Sequence, residues 1–426
     1  MSNKEDSSIN SEINKELDNK THSNSVYKLR SIEQLIEQGQ PQFGVFAKVG
    51  QVNYLDYHSH LISQKPIASW RKHLKVNQFA FIQMVHSPYR ICIAIATIKL
   101  ATTAFVYMYN ERSKNFEIVE ALQPFTLNTV FKGDHQNGEM IFEHDNLCVK
   151  MYFSPKLVSL KLNSKFFSIN ADLQRSRQPL AMCSPSGRRG WTFTQKEPFA
   201  QTVGELLVHE RSKHYAKAMG TRSQFSNSHN SNNLNFNNHN SNINDFKNTQ
   251  FKTTDLKTNK TNSNNSPSNK LVLSEATRAN LDWTLGYMRH ITNWFWCCIN
   301  SQLDDQRQFV LNLSMGVNET GVSENACWLD GNIYYLPPVM FHRNEHRGKA
   351  YAVWSITHQN LGWSMIEIDL TFNPIEVYKK TDNYAVIASI FEQWIGYYSG
   401  HIKLYTGEII VLDRIMGLAE DHYAKW

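Results

Sequence analysis

A two-residue alternation of apolar and polar side chains runs through this chain and restricts it to β structure. QFVLNLSMG shows the pattern plainly: Phe309, Leu311, Leu313 and Met315 share one face of a strand, while Asn312 and Ser314 take the other. Short runs of the same kind recur from Phe43 onward. QFAFIQMV, YRICIAIAT, TTAFVYMYN, LCVKMYF and LVSLKL precede residue 200, and AYAVWSIT, GWSMIEIDLTF and EIIVL follow residue 300. Turn residues punctuate them, at Gly133, Asp134, Gly138, Asn360, Pro374, Gly400 and Gly407. Asp330–Gly331 supplies the two positive φ angles of a type I′ hairpin turn. No long helical period competes, which excludes strand–helix–strand units and leaves an antiparallel meander. Residues 31–38 read as a short helix, with Ser31 and Gln34 as a capping box and Gly39 as its stop.

At 426 residues the chain exceeds what one core usually serves, so two β halves are expected. Strands this regular and this rich in Trp and Tyr favour closed or nearly closed barrels, because closure removes exposed edges. Residues 1–30 form a polar tail without periodicity, 31–212 the first half, 213–270 an insertion and 271–426 the second half. The insertion is dominated by Asn, with Ser, Thr, Lys and His. Such a composition cannot bury enough apolar surface to offset its chain entropy, so it reads as a disordered loop. Loop closure costs grow only logarithmically with length, and the host fold tolerates it.

The formal charge of +6 does not indicate a nucleic-acid partner. Residues 211–270 carry nine Lys or Arg against two Asp, which leaves the rest of the chain one unit negative. The six cysteines show no C-x-x-C and lie in apolar, strand-like contexts, where a thiol behaves as a small hydrophobe. With a charged, polar N-terminus that lacks an apolar h-region, a cytoplasmic location is expected. No transmembrane segment is expected either, since the most apolar run, residues 91–109, is broken by Lys99 and threonines.

Residues 281–298, LDWTLGYMRHITNWFWCC, pack five aromatic residues and a carboxylate into one short stretch. In a strand, His290, Thr292, Trp294, Trp296 and Cys298 share one side, and Ile291, Asn293, Phe295 and Cys297 the other. Both sides are bulky, so the strand should be enclosed. Two indole N–H groups beside His290, Thr292 and Asp282 describe either an amphipathic ligand wall or a core strand satisfied by its neighbours. Glu324 and Asn325, just before the Cys327–Trp328 strand, and Asn312 on the preceding one could converge with Asp282 there. A carboxyl in apolar surroundings holds its proton and can donate it; the alternative is that these groups bond buried backbone at strand ends. No cofactor or metal site is expected. His342-Arg-Asn-Glu345-His346 fits H-x-x-E-H, but that zinc motif requires a helix, and Pro337-Pro338 precede it here while Gly348 follows. No G-x-S-x-G, Walker loop or G-x-G-x-x-G is present.

LDWTLGYMRHITNWFW, NLSMGVNETGVSENACWLDG, LTFNP, Asn383, the Gly396 to Gly400 passage and the closing GLAEDHYAKW resemble the signature run of domain-of-unknown-function family 2804. Upstream, FGVF and WTFTQK with VGEL, including Lys196 and Gly204, are similar to its pattern too. The resemblance implies no established activity. It implies a fold of two lipocalin-like antiparallel β-barrel halves in tandem with few short helices, remotely similar to carotenoid hydratase and AttH-like proteins. Two functions follow as expectations. One is binding of a hydrophobic small molecule or lipid in a cavity walled by Trp294, Trp296 and Trp328, with His290, Asn312 and Asn325 as polar contacts. The other is a hydratase or isomerase in which Asp282 or Glu324 protonates an unsaturated ligand, oriented by Asn325 or His290. An accessory role for the Asn-rich loop is a third. The terminal GLAEDHYAKW, with Leu418, Tyr423 and Trp426, is too apolar for a solvated tail and should dock on the second half, with Glu420 partnering a nearby donor.

Overall fold

The structure is a computed structural model and describes residues 29–58, 66–187, 190–209, 268–317, 322–345, 350–358, 365–383 and 387–425. The polar tail and nearly all of the Asn-rich insertion lie outside the described residues, as do His346 and Trp426. Three large sheets carry the fold, with seven, eight and nine strands. Their pairings are antiparallel throughout; the only parallel pair among the described residues is a small one, Ser31–Gln34 with Lys48–Gln51. One helix, Ser69–Lys75, and a short 3-10 turn, Tyr54–Asp56, are the helical elements described. The expected helix at 31–38 is instead extended. Leu35 and Ile36 are buried, and the Leu35 N–H donates to Gln51 O at 3.0 Å. An eight-residue helix is marginal by itself, so pairing that buries these two side chains prevails.

The first half is a pair of curled sheets packed face to face. Strand periodicity turns Ala80, Ile82 and Met84 of Asn77–His86 toward Phe142, Leu160 and Leu173 of the facing seven-stranded sheet. Each of the larger side chains so buried contributes about 1.5–3 kcal/mol, and the Ala80 methyl roughly 0.8 kcal/mol. The chain runs into its insertion from Gln201–His209 and returns in Ser268–Leu273, which pairs with it from His209↔Ser268 onward. Gln201–His209 and Ser268–Leu273 are thus neighbouring strands of one ladder, and residues 210–267 between them lie outside the described residues. The next strand, Arg278–Gly286, lies at the centre of the eight-stranded sheet, between Gly190–Pro198 and Asn77–His86. The passage to the second half thus falls at 287–290 rather than at 271.

The second half is the nine-stranded sheet, curled around Ile299, Leu311, Phe341, Trp354, Phe372 and Leu412. Three long strands dominate it: Glu367–Asn383, Ala388–Lys403 and Ile409–Lys425. The breaks expected at Pro374 and Gly400 are not turns. The ladder shifts register at Pro374/Glu376 and at Tyr398/Gly400, so each strand continues through a bulge that bends it around the core. At Gly400, whose φ is +129°, a Cβ would lie 2.1 Å from Asp369 O, and only glycine permits the approach. The C-terminal strand is held on both sides, by Ala388–Lys403 and by Ile291–Gln302, as expected for GLAEDHYAKW.

Candidate functional site: a cavity between the two halves

The outer faces of the eight- and nine-stranded sheets meet. Phe81, Cys92, Ala94 and Tyr107 of the first half pack on Trp296, Cys298, Phe391 and Leu418 of the second. At one end this contact opens into a cavity of about 260 Å³. Residues of both halves line it, including Ala101, Leu122 and Ala388 together with Phe81, Phe105, Trp294, Trp296, Tyr378 and Phe391. The cavity therefore lies between the halves and not inside either one. Period-two alternation explains how strand Ile291–Gln302 serves it: Thr292, Trp294 and Trp296 face the cavity, while Phe295, Cys297 and Ile299 belong to the core of the second half.

Lys196 and Asp282 are direct cross-strand partners in the eight-stranded sheet, and their side chains leave it on the cavity face. The ammonium contacts Asp282 Oδ2, and it lies 3.5 Å from Glu324 Oε1 of the second half. The Thr194 and Thr284 hydroxyls each lie 3.4 Å from Asp282 Oδ1, where they donate. Lys196 and Glu324 are buried, at 6% and 4% exposure, and Asp282 is mostly so, at 13%. Burial pushes the Asp282 carboxyl above the ordinary range; Lys196 opposes this and Glu324 reinforces it. For Lys196, burial works against the ammonium, but the two carboxylates outweigh it and hold its pKa above that of a free lysine. Two carboxyls thus share one ammonium at the cavity wall.

A second polar group closes the other side. The Trp294 indole N–H donates to Glu420 Oε1 at 2.9 Å, and Gln393 Nε2 donates to Glu420 Oε2 at 2.8 Å. Tyr107 in turn donates to Gln393 Oε1 at 2.5 Å, so this network also crosses between the halves. His422 stacks near Trp294, with ring centroids 4.2 Å apart, and its Nδ1 is 3.7 Å from Glu420 Oε1.

The expected residues divide. Asp282, Glu324, Trp294 and Trp296 line the cavity together. Asn312 stands behind them: its Oδ1 accepts the Trp296 indole N–H at 2.7 Å and its Nδ2 donates to Glu324 O at 2.7 Å, which fixes the segment bearing Glu324. Asn325 serves backbone, accepting from Ser314 N at 2.7 Å and donating to Pro337 O at 2.9 Å. Trp328 is buried in a separate contact with Leu180 and Met182, where its indole donates to Gln178 O at 2.7 Å. His290 is exposed in the turn before Ile291–Gln302, since that strand begins one residue later, and it does not line the cavity. His342 is exposed on strand Val339–Asn344, not on a helix. Among the described residues no group of His, Cys, Asp and Glu is placed to hold a metal ion, and no helix is long and apolar enough to cross a membrane. All six cysteines are free thiols.

Sequence reasoning missed the role of Lys196, together with Glu420 and His422 as lining groups. The signal for Lys196 was its place in WTFTQKEP, a strand buried nearly throughout: Thr192, Thr194 and Lys196 share one face, and Glu197 points the other way to a buried pair with Arg175.

No curated protein matches the chain significantly. Among solved structures, the crystal structure of CghA with Sch210972 has a TM-score of 0.46 at 7% identity, covering 83% of this chain and 89% of that one. The crystal structure of CghA gives 0.47 at 8% identity, over 93% of this chain and 98% of that one. The family model Domain of unknown function (DUF2804) matches residues 236–426, which supports that family for the C-terminal part of the chain.

Proposed function

We propose that this protein binds an apolar small molecule in the cavity between its halves, with the polar end of the ligand at Lys196, Asp282 and Glu324. The observation that carries this reading is the composition of the wall: aromatic faces on both sides, with one buried cluster of charges at a fixed point. Apolar walls with a few convergent polar groups are the physical signature of ligand sites, and 260 Å³ lies just below their usual range of about 300–1,000 Å³, which suits a small ligand. The test is titration with the apolar dye N-phenyl-1-naphthylamine. Trp294 is only half-buried, so Trp294→Ala should weaken dye binding about tenfold while the protein still melts cooperatively. Unchanged affinity in the folded variant would remove the cavity from consideration.

A second reading is an enzyme of the hydratase or isomerase kind. It is favoured by the raised Asp282 carboxyl, which can hold a proton beside an unsaturated ligand. In this reading Asp282 is the acid, oriented by Thr194 and Thr284 rather than by His290 or Asn325. Asp282→Asn keeps the shape and removes the acid, so it would abolish turnover in an enzyme and leave a pure binder's dye affinity nearly unchanged.

A further inference from the structure

We propose that the ligand of this cavity carries a positive charge on a short apolar body, as an alkylammonium does; the inference rests on the cavity's being a ligand site. It comes from the charges and the rings that face the space. Three carboxylates, Asp282, Glu324 and Glu420, line it. One buried ammonium, Lys196, lies among them. Of the other charged lining groups, Lys380 and Asp382 are 3.6 Å apart and offset each other, and Lys425 is the last residue of its strand. His422 lies between Ser389, whose hydroxyl is 2.9 Å from Nε2, and Glu420, whose Oε1 is 3.7 Å from Nδ1. Carboxylates outnumber ammonium groups among the lining residues.

Buried charge without compensation is costly, so an incoming cation gains where an incoming anion loses. The walls favour the same sign. Phe81, Phe105, Trp294, Trp296, Tyr378 and Phe391 surround the space, and aromatic faces attract ammonium groups. Lys196 already lies 5.9 Å from the Trp296 ring centroid, which shows a cation accommodated against this wall. A fatty-acid carboxylate would add a further negative charge to the same space.

The experiment is isothermal titration calorimetry of the full chain with three probes of one chain length, octyltrimethylammonium, octanol and octanoate, below micelle-forming concentrations. Octyltrimethylammonium should bind at least about tenfold tighter than octanol, the scale of a desolvated cation–π contact. Octanoate should bind most weakly. Glu420→Gln and Glu324→Gln, which preserve shape, should each reduce the ratio of cation to octanol affinity severalfold. Octanol binding as tightly as the cation, or octanoate binding tighter, overturns the charge inference and leaves the cavity reading in place. If none of the three binds, the inference also falls, and the dye titration decides separately whether the cavity reading falls with it.

Discussion

Lys196→Met removes the ammonium buried between Asp282 and Glu324 and keeps most of the side-chain volume. In the wild type this ammonium contacts Asp282 and stands 3.5 Å from Glu324. At that separation, with an effective dielectric near 20, one such pair is worth roughly 5 kcal/mol before desolvation is subtracted. Leaving buried carboxylates without their partner typically costs about 3–5 kcal/mol, which would take much of a stability of roughly 5–15 kcal/mol. The pH dependence carries a sign. Asp282 is already raised by burial; without Lys196, burial and the neighbouring Glu324 and Glu420 push it up further, while the Thr194 and Thr284 hydroxyls still favour its ionised form. A carboxyl whose folded pKa exceeds its unfolded value contributes stability below the unfolded value, and that contribution is lost as pH rises through the folded one. The deficit of the variant should therefore be small near pH 4 and widen with pH, by up to about 1.4 kcal/mol per unit, until Asp282 ionises. Urea unfolding of both proteins at a series of pH values measures it. A deficit below about 1 kcal/mol at pH 7.5, or one that does not shrink toward acid, would refute the buried three-charge cluster.

Asn312→Ala leaves the Trp296 indole N–H and the Glu324 carbonyl without their partner; chemical denaturation should show a loss of about 1–3 kcal/mol, with weaker dye binding. Removal of residues 417–426 deletes Leu418 and Glu420 and strips two strands of a neighbour; calorimetry should show no cooperative transition. Gly331→Ala and Gly204→Ala form a matched pair. At Gly331 a Cβ meets nothing within 4 Å and the cost is conformational, about 1 kcal/mol; at Gly204 it would lie 2.2 Å from Asn170 O, and the drop in melting temperature should be several times larger.

The strands were legible because their pattern is local. Phe309 to Met315 and the Asp330–Gly331 turn follow from spacing alone, and Asp330 and Gly331 do adopt φ of 49° and 80°. What required more than local pattern was partnership. Asp282 meets Lys196 only through a register that spans the Asn-rich insertion, and Glu324 reaches both only because the two halves pack on each other. The same limit explains the residues set aside. Trp328 and Asn325 have the chemistry of a site, but their neighbours turn them to a backbone carbonyl of Gln178 and to Ser314 and Pro337. Pro374 marks a turn by residue type, but a bulge absorbs it within one continuous strand instead.

The central claim is that the space between the halves is the binding site, and filling it tests that claim most directly. Ala96 lines the cavity beside Phe79 and Thr103, its cross-strand partners, and it is only partly buried. Ala96→Phe would place a ring in the space with little overpacking of the core. Titrated with N-phenyl-1-naphthylamine, this variant should lose at least about tenfold in affinity, or about 1.4 kcal/mol, with its melting temperature within a few degrees of wild type. Undiminished dye affinity in a stably folded Ala96→Phe protein would contradict the account.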